Sequence, residues 1–93
     1  MKTMYELIDK EKITELKFPN EDVLTSDIDK KTRVDELQRA MALGNLDHVK
    51  YKILFEDDTA IRAVETTIWG VTDHKIILKK GMVIPIHRIH RIL

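Results

Sequence analysis

The stretch K-I-I-L-K-K-G-M-V-I-P-I-H-R-I-H-R-I, residues 75–92, decides the fold of the C-terminal half. Ile76 to Leu78 is a short apolar run between turn signals, which is typical of a strand with at least one buried face. Gly81 allows the chain to reverse, and Met82 to Ile86 returns as a second strand. Pro85 has no N–H to donate, so it belongs at a sheet edge or a strand end. The stretch therefore predicts a hairpin that ends near the proline.

The spacing of the isoleucines changes after the proline. Ile84 and Ile86 are two residues apart, as in a strand, whereas Ile86, Ile89 and Ile92 are three apart, as in a 3₁₀ turn. We therefore predict a single 3₁₀-like turn from Ile86 to Ile89 that leads into one last short strand.

Two further strands are predicted upstream. Val49 to Glu56 alternates between apolar and mostly polar residues, which indicates a half-buried strand. Ile61 to Thr72 is rich in β-branched residues, and Gly70 within it predicts a bulge or bend by which one long strand serves two neighbours. Trp69, the only tryptophan, is interpreted as a core anchor. The alternative is a stacking platform for a base or a partner.

The N-terminal half has helix signals and a connector. Thr3–Glu6 has capping-box spacing and predicts a short helix, which either bends near Asp9-Lys10 or consists of two short turns, and which ends at Phe18-Pro19. The polar segment from Asn20 to Lys31 is a connector. Thr32 is the predicted start of the main helix, and Gly44 is its predicted C-terminal stop. The predicted apolar face consists of Val34, Leu37, Ala40 and Met41.

This order of elements predicts an α+β protein with one domain, residues 1–93. Two helices and the connector occupy residues 1–46, and an antiparallel meander of four or five strands occupies residues 47–93. Because an open meander leaves two unpaired edges, we expect it to curl into a small barrel.

Resemblances to known proteins point the same way. The last 45 residues resemble an SH3-like or Sm-like barrel, on the motif K-G-M-V-I-P at residues 80–85 with Ile86, Ile89 and Ile92 behind it. The chain also resembles small bacterial proteins of unassigned function, with which it shares W-G-V-T and I-P-I-H-R-I. These resemblances imply a fold and no chemistry.

The charges are balanced overall but unevenly distributed. There are 16 basic and 16 acidic residues, yet residues 1–58 hold 14 acidic and 10 basic side chains, whereas residues 59–93 hold 2 acidic and 6 basic. The two halves either face each other, within one fold or across a dimer, or the second half forms a basic patch for an anionic partner. The chain has no cysteine and no apolar run of about eighteen residues, so we expect a cytoplasmic protein without membrane contacts.

The candidate contacts for an anion or a partner are the basic and aromatic residues of the C-terminal half. They are Lys75, Lys79, Lys80, His87, Arg88, His90, Arg91 and Trp69. Over residues 84–89 the chain is also similar to the small domain that recognises cyclic-phosphate RNA ends. That similarity implies phosphate contacts at His87 and Arg88, since arginine offers a planar fork to paired oxygens.

Catalytic and metal signatures are missing from the sequence. His87 and His90, taken with His74, His48 or Glu65, complete no recognised zinc spacing. There is no nucleophile elbow and no phosphate-binding glycine loop. We therefore predict no catalytic residue, no metal and no cofactor. Glu65, midway along a predicted strand, is expected to pair across the sheet with Lys79, Arg88 or Arg91.

The function predicted from the sequence is a non-enzymatic binding or assembly module. It would contact a second copy of itself, as a homodimer or larger assembly, or another protein, through a sheet edge or the Pro85–Leu93 tail. The alternative is an RNA-binding barrel that contacts phosphates through its basic C-terminal half.

Overall fold

The computed structural model describes residues 4–93, so the capping box at Thr3–Glu6 lies partly outside the described residues. From Met4 onward the predicted first α-helix is wrong. Glu6–Leu7 forms a short strand, β1, and Lys10–Glu15 forms a 3₁₀ helix. The apolar residues of this segment do not make one helical stripe, and the N–H of Ile8 donates instead to the carbonyl of Ala63 at 2.9 Å.

The main helix, α1, spans Asp27–Asp47 and begins five residues before the predicted start. The Ser26 hydroxyl caps it by accepting a hydrogen bond from the N–H of Asp29 at 3.4 Å. Asp27 and Asp29 place negative charge in the first turn, where the helix dipole favours it. This polar first turn looked like part of the connector because it carries no apolar stripe.

Gly44 does not end α1, contrary to the sequence prediction. The helix continues to Asp47 and ends at His48, whose φ of 56° is left-handed and whose N–H donates to the Gly44 carbonyl at 3.0 Å. A Cβ on Gly44 would lie 2.9 Å from the Ile68 carbonyl oxygen. The glycine is therefore needed for close approach of helix and strand.

The buried stripe of α1 differs from the predicted apolar face. It consists of Arg33, Leu37, Ala40 and Gly44. Val34 is exposed, and Met41 is half-buried at the margin. The inner face therefore includes a charged residue, Arg33, which is paired with Asp22 and was not part of the predicted face.

Within residues 4–93 the strands form two sheets. The first has the order β1-β3-β2-β7, where β2 is Tyr51–Glu56, β3 is Ile61–Thr66 and β7 is Ile89–Ile92. The second, here called sheet B, has the order β4-β5-β6, with β4 at Ile68–Val71, β5 at Lys75–Leu78 and β6 at Val83–Pro85.

A single long strand connects the two sheets. Only Thr67 separates β3 from β4, so the chain bends there and passes from the first sheet into sheet B. This confirms that a long strand serves two sets of neighbours, with the main bend at Thr67 and a register shift between Ile68 and Gly70.

The described residues form an α+β fold without a closed barrel. One core cluster lies between α1 and both sheets, and it includes Leu37, Phe55, Ile68, Ile84 and Ile89. The predicted meander does not close on itself, because the bend at Thr67 and a corner before β7 divide the strands between two sheets.

The C-terminal stretch folds as its spacing predicts. β5 leads into a turn at Lys79–Gly81, where Gly81 has φ +89°, and β6 ends at Pro85. Ile86–Arg88 is a 3₁₀ turn, and β7 follows to pair with β2. The corner that the isoleucine spacing predicts is confirmed.

Candidate functional site

Arg88 is held inside the fold by backbone carbonyls. Its Nε donates to Glu56 O at 3.0 Å, its Nη1 to Glu21 O at 2.7 Å and its Nη2 to Asp57 O at 3.3 Å. The residue is 6% exposed. Its guanidinium therefore joins the connector to the end of β2, and an incoming phosphate would have to displace these carbonyls.

His87 joins the same turn to the connector. Its Nε2 lies 2.8 Å from Pro19 O, and its own carbonyl accepts the N–H of Val23 at 2.9 Å. With Arg88 it makes the 3₁₀ turn at Ile86–Arg88, here called the hub turn, a site of internal contacts between distant segments.

His90 and Arg91 lie on β7, apart from the hub turn. His90 Nε2 is 2.8 Å from Glu56 Oε1, and Arg91 is exposed. Both line an open cleft of about 360 Å³ beside α1, together with Arg33 and the acids Asp29 and Glu36. Because its lining contains both acidic and basic groups, this cleft favours neither anionic nor cationic ligands.

The remaining predicted contacts share a different surface. Successive residues of a strand point to opposite faces, and Ile76, Leu78 and Ile84 point into the core. The intervening residues therefore form the outer face of sheet B, here called the Trp69 face. It comprises Trp69, Lys75, Ile77, Lys79 and Val83, with Lys80 in the adjacent turn.

Trp69 occupies the irregular position of β4. The pairing with β5 shifts between Ile68 and Gly70, which leaves Trp69 as the extra residue of a bulge. Trp69 is 49% exposed, so its interpretation as a core anchor is wrong. Because the preceding residue, Ile68, is fully buried, alternation along the strand places the indole on the outer face.

The apolar part of the Trp69 face is continuous across three strands. Gly70, Ile77 and Val83 are directly paired in one row. A Cβ on Gly70 would lie 3.4 Å from Ile77 Cδ1, so the missing side chain leaves room for the isoleucine beside the indole. Val83 is 39% exposed at the edge of the row.

The lysines around this row form no ion pair with the other described residues. Among the ion pairs found in residues 4–93, none includes Lys75, Lys79 or Lys80. From residue 66 to residue 85 the sequence has one acid, Asp73. The Trp69 face is therefore a positively charged surface with an aromatic centre.

Glu65 has a partner other than those predicted. It pairs with Lys52, the residue directly opposite on β2, at 3.7 Å between Oε1 and Nζ. Both side chains are at least one-third exposed, so we expect this pair to contribute little to stability. The predicted pairing with Lys79, Arg88 or Arg91 is wrong.

Sequence reasoning missed a buried carboxylate at the β2–β3 turn. Asp57, 2% exposed, accepts the N–H groups of Thr59 at 2.8 Å and Ala60 at 2.7 Å, and Arg62 Nε at 2.7 Å. Burial alone raises the pKa of Asp57, but these hydrogen bonds outweigh it and hold the pKa below its ordinary value. Aspartate in a D-D-T-A turn is the signal that could have found it.

A second missed carboxylate anchors the connector to α1. Asp22 accepts two hydrogen bonds from Arg33, both at 2.8 Å, and these lower the pKa of Asp22 against the opposing effect of burial. Arg33 also donates to Ile89 O at 3.1 Å, so it satisfies a carbonyl of β7. Both carboxylates have structural partners, and neither lines the cleft beside α1 or the cleft between β1, the 3₁₀ helix and β3.

Another cleft lies at the opposite end of the first sheet from β7. It has a volume of about 590 Å³ and runs between β1, the 3₁₀ helix and β3. Its charged lining residues are the acids Glu6, Asp9, Glu11, Glu15 and Glu65 and the bases Lys10, Lys12 and Arg62. With five acids against three bases, this cleft is moderately acidic, and it shares no residue with the Trp69 face.

Residues 4–93 contain no group of three or more His, Cys, Asp or Glu side chains placed to hold a metal ion. No helix in the described part of the chain is long and apolar enough to cross a membrane. Comparisons with protein-family models, curated proteins and solved structures found no match.

Proposed function

We propose that this protein is a non-enzymatic binding module whose contact surface is the Trp69 face. The observation that carries the proposal is the half-exposed indole on β4, an outer strand of sheet B, next to lysines that form no ion pair within residues 4–93. Exposed aromatic side chains are enriched at binding surfaces because they offer a large apolar area at low entropic cost.

Three of the four sheet edges, those at β6, β7 and β1, support this choice of a face. Pro85 ends β6 and has no N–H to offer an added strand. Arg33 occupies the Ile89 carbonyl of β7, and β1 is only two residues long. Short, interrupted or covered edges disfavour the strand addition that a sheet-edge interface would use.

The C-terminal tail offers little surface for assembly. Ile86 and Ile89 are buried, Ile92 packs against the core, and of this apolar run Leu93 is exposed. The opposite charges of the two halves meet within one molecule, since Arg62 pairs with Glu6 and Arg88 with Glu56. These internal pairs leave the lysines of the Trp69 face to attract an anionic partner.

Nuclear magnetic resonance mapping tests the proposal. A ¹⁵N-labelled sample is titrated with three polyanions, a glutamate-rich peptide, a heparin fragment and a single-stranded oligonucleotide, and is also diluted alone. We expect at least one condition to shift the Trp69 indole N–H and the amides of Ile77 and Val83. The amides of Lys31 and Asp35 on the outer side of α1 serve as an internal control.

The outcomes separate the alternatives. Shifts on the Trp69 face that appear on dilution would identify a second copy as the partner and would retain the proposed surface. Shifts confined to the acidic cleft or to α1 would overturn the proposal. The proposal would also be overturned if neither the three titrations nor the dilution shifted any resonance of the Trp69 face.

A further inference from the structure

We infer that the Trp69 face binds single-stranded nucleic acid, with a base stacked on Trp69 and the backbone phosphates placed on Lys75 and Lys79. The inference rests on the proposed function, since it names the partner of the same surface. Ribonucleotide and deoxyribonucleotide strands share this chemistry, and the experiment below distinguishes them.

The first support is the position of the indole. Trp69 projects from a strand that is hydrogen-bonded to β5 and packed beneath by Ile68 and Leu78, both fully buried. A half-exposed aromatic ring on a paired strand can serve as a stacking platform for any base, because every base has a π-face. Ile77 beside it adds apolar surface on which a second base could rest.

The second support is the spacing of the charges. Lys75 and Lys79 lie at the two ends of β5 on its outer side, four residues and therefore about 13 Å apart. Trp69 lies between them, on the adjacent strand, and Lys80 extends the positive end with its left-handed φ of 69°. A backbone running along β5 would meet a cation before and after its base reaches the indole.

The other occupants fit this surface less well. Two copies joined face to face around a two-fold axis would bring the lysines of both copies together, which is unfavourable. An acidic peptide would neutralise the lysines but would offer no ring to the indole. A single strand supplies both the negative charge and the aromatic planes.

The test is a fluorescence anisotropy titration with end-labelled oligonucleotides. The probes are a uridine-rich RNA strand, the matching thymidine-rich DNA strand and a duplex of equal length, and a labelled glutamate-rich peptide serves as the polyanion control. We expect both single strands to bind more tightly than the duplex and the peptide. Neutralising two or three phosphates predicts a slope of log K against log salt of about −1.4 to −2.1.

Variants of the face isolate the stacking step. Trp69→Ala should weaken single-strand binding about 5- to 150-fold, the range measured for removal of one stacked base, whereas Trp69→Phe should restore most of it. Lys79→Ala should reduce the salt slope by about 0.7, and Lys31→Ala on α1 should leave it unchanged. Circular dichroism confirms that each variant is folded.

The outcomes distinguish this inference from the proposed function. Equal binding of the peptide and the single strands, or single-strand binding that Trp69→Ala leaves intact, would overturn the stacking inference. Peptide binding that Lys79→Ala weakens would still support a binding module on the Trp69 face. Single strands that do not bind at low salt would overturn the inference, and the resonance mapping would then decide the proposed function independently.

Discussion

The hub turn and the Trp69 face are the two basic regions of the C-terminal half, and they use their charges in opposite ways. At the hub turn, three backbone carbonyls occupy Arg88 and a fourth occupies His87. On the Trp69 face, Lys75 and Lys79 are exposed. A positive charge in the sequence therefore indicates a binding surface only where the fold leaves it accessible.

The largest expected effect is at the hub turn. Arg88→Ala should destabilise the protein by about 3 kcal/mol, because three carbonyls of the connector and the β2–β3 turn lose a charged donor. Urea unfolding followed by circular dichroism measures it. The exposed neighbour provides the control, since Arg91→Ala should change stability by less than about 0.5 kcal/mol. Similar effects of the two variants would contradict the contrast.

The stability of the protein should depend on pH through two aspartates, Asp57 in the β2–β3 turn and Asp22 in the connector. Because the folded pKa values of Asp57 and Asp22 are lowered, the stability they provide is complete above the unfolded aspartate pKa, about 3.9, and is lost as pH falls through the folded values. Asp57→Asn should lower the free energy of unfolding by about 2 kcal/mol at pH 7. The variant should also lose less stability than the wild type as the pH falls. Urea midpoints at pH 7 and pH 3 give the comparison, and parallel curves for variant and wild type would refute it.

The support beneath the Trp69 face depends on Gly44. Gly44→Ala should destabilise by about 1 to 2 kcal/mol, although alanine favours helices, because its Cβ would lie 2.9 Å from the Ile68 carbonyl oxygen. Thermal unfolding measures the change. Asn45→Ala, at the exposed next position, should stabilise slightly by propensity alone. A stabilising Gly44→Ala would show that α1 does not fix β4.

The smallest effect is expected at the end of the same helix. His48→Gly should stabilise by about 0.5 kcal/mol, since His48 holds a left-handed φ of 56° that glycine adopts without a steric penalty. The urea midpoint should rise, and the single-strand binding that we propose for the Trp69 face should be unaffected. A fall in stability would indicate that the imidazole has contacts of its own.

Local signals in the sequence predicted the C-terminal strands well. Gly81, Pro85 and the three-residue spacing from Ile86 to Ile92 each restrict the backbone within a few residues, so β5, β6, the corner and β7 follow from them. The bulge near Gly70 was predicted for the same reason, although its consequence, an outward-facing Trp69, was not.

Long-range partners explain what the sequence left undetermined. Arg33 is buried because Asp22 and the Ile89 carbonyl meet it, 11 and 56 residues away. In the sequence Gly44 indicates a helix stop, whereas in the fold it allows α1 to pack closely against Ile68. For the candidate site, the eight predicted residues could be listed from composition, but their division between the hub turn, β7 and the Trp69 face depends on strand pairing.

The connector has a consequence for proteolysis. Its composition is that of a flexible linker, yet Glu21, Asp22 and Val23 are each hydrogen-bonded to the hub turn or to α1, as is Pro19 just before the connector. A protease can cleave this segment only after those bonds open together, so cleavage should track global unfolding of the chain. A polar segment that looks like the easiest place to cut should be among the most resistant.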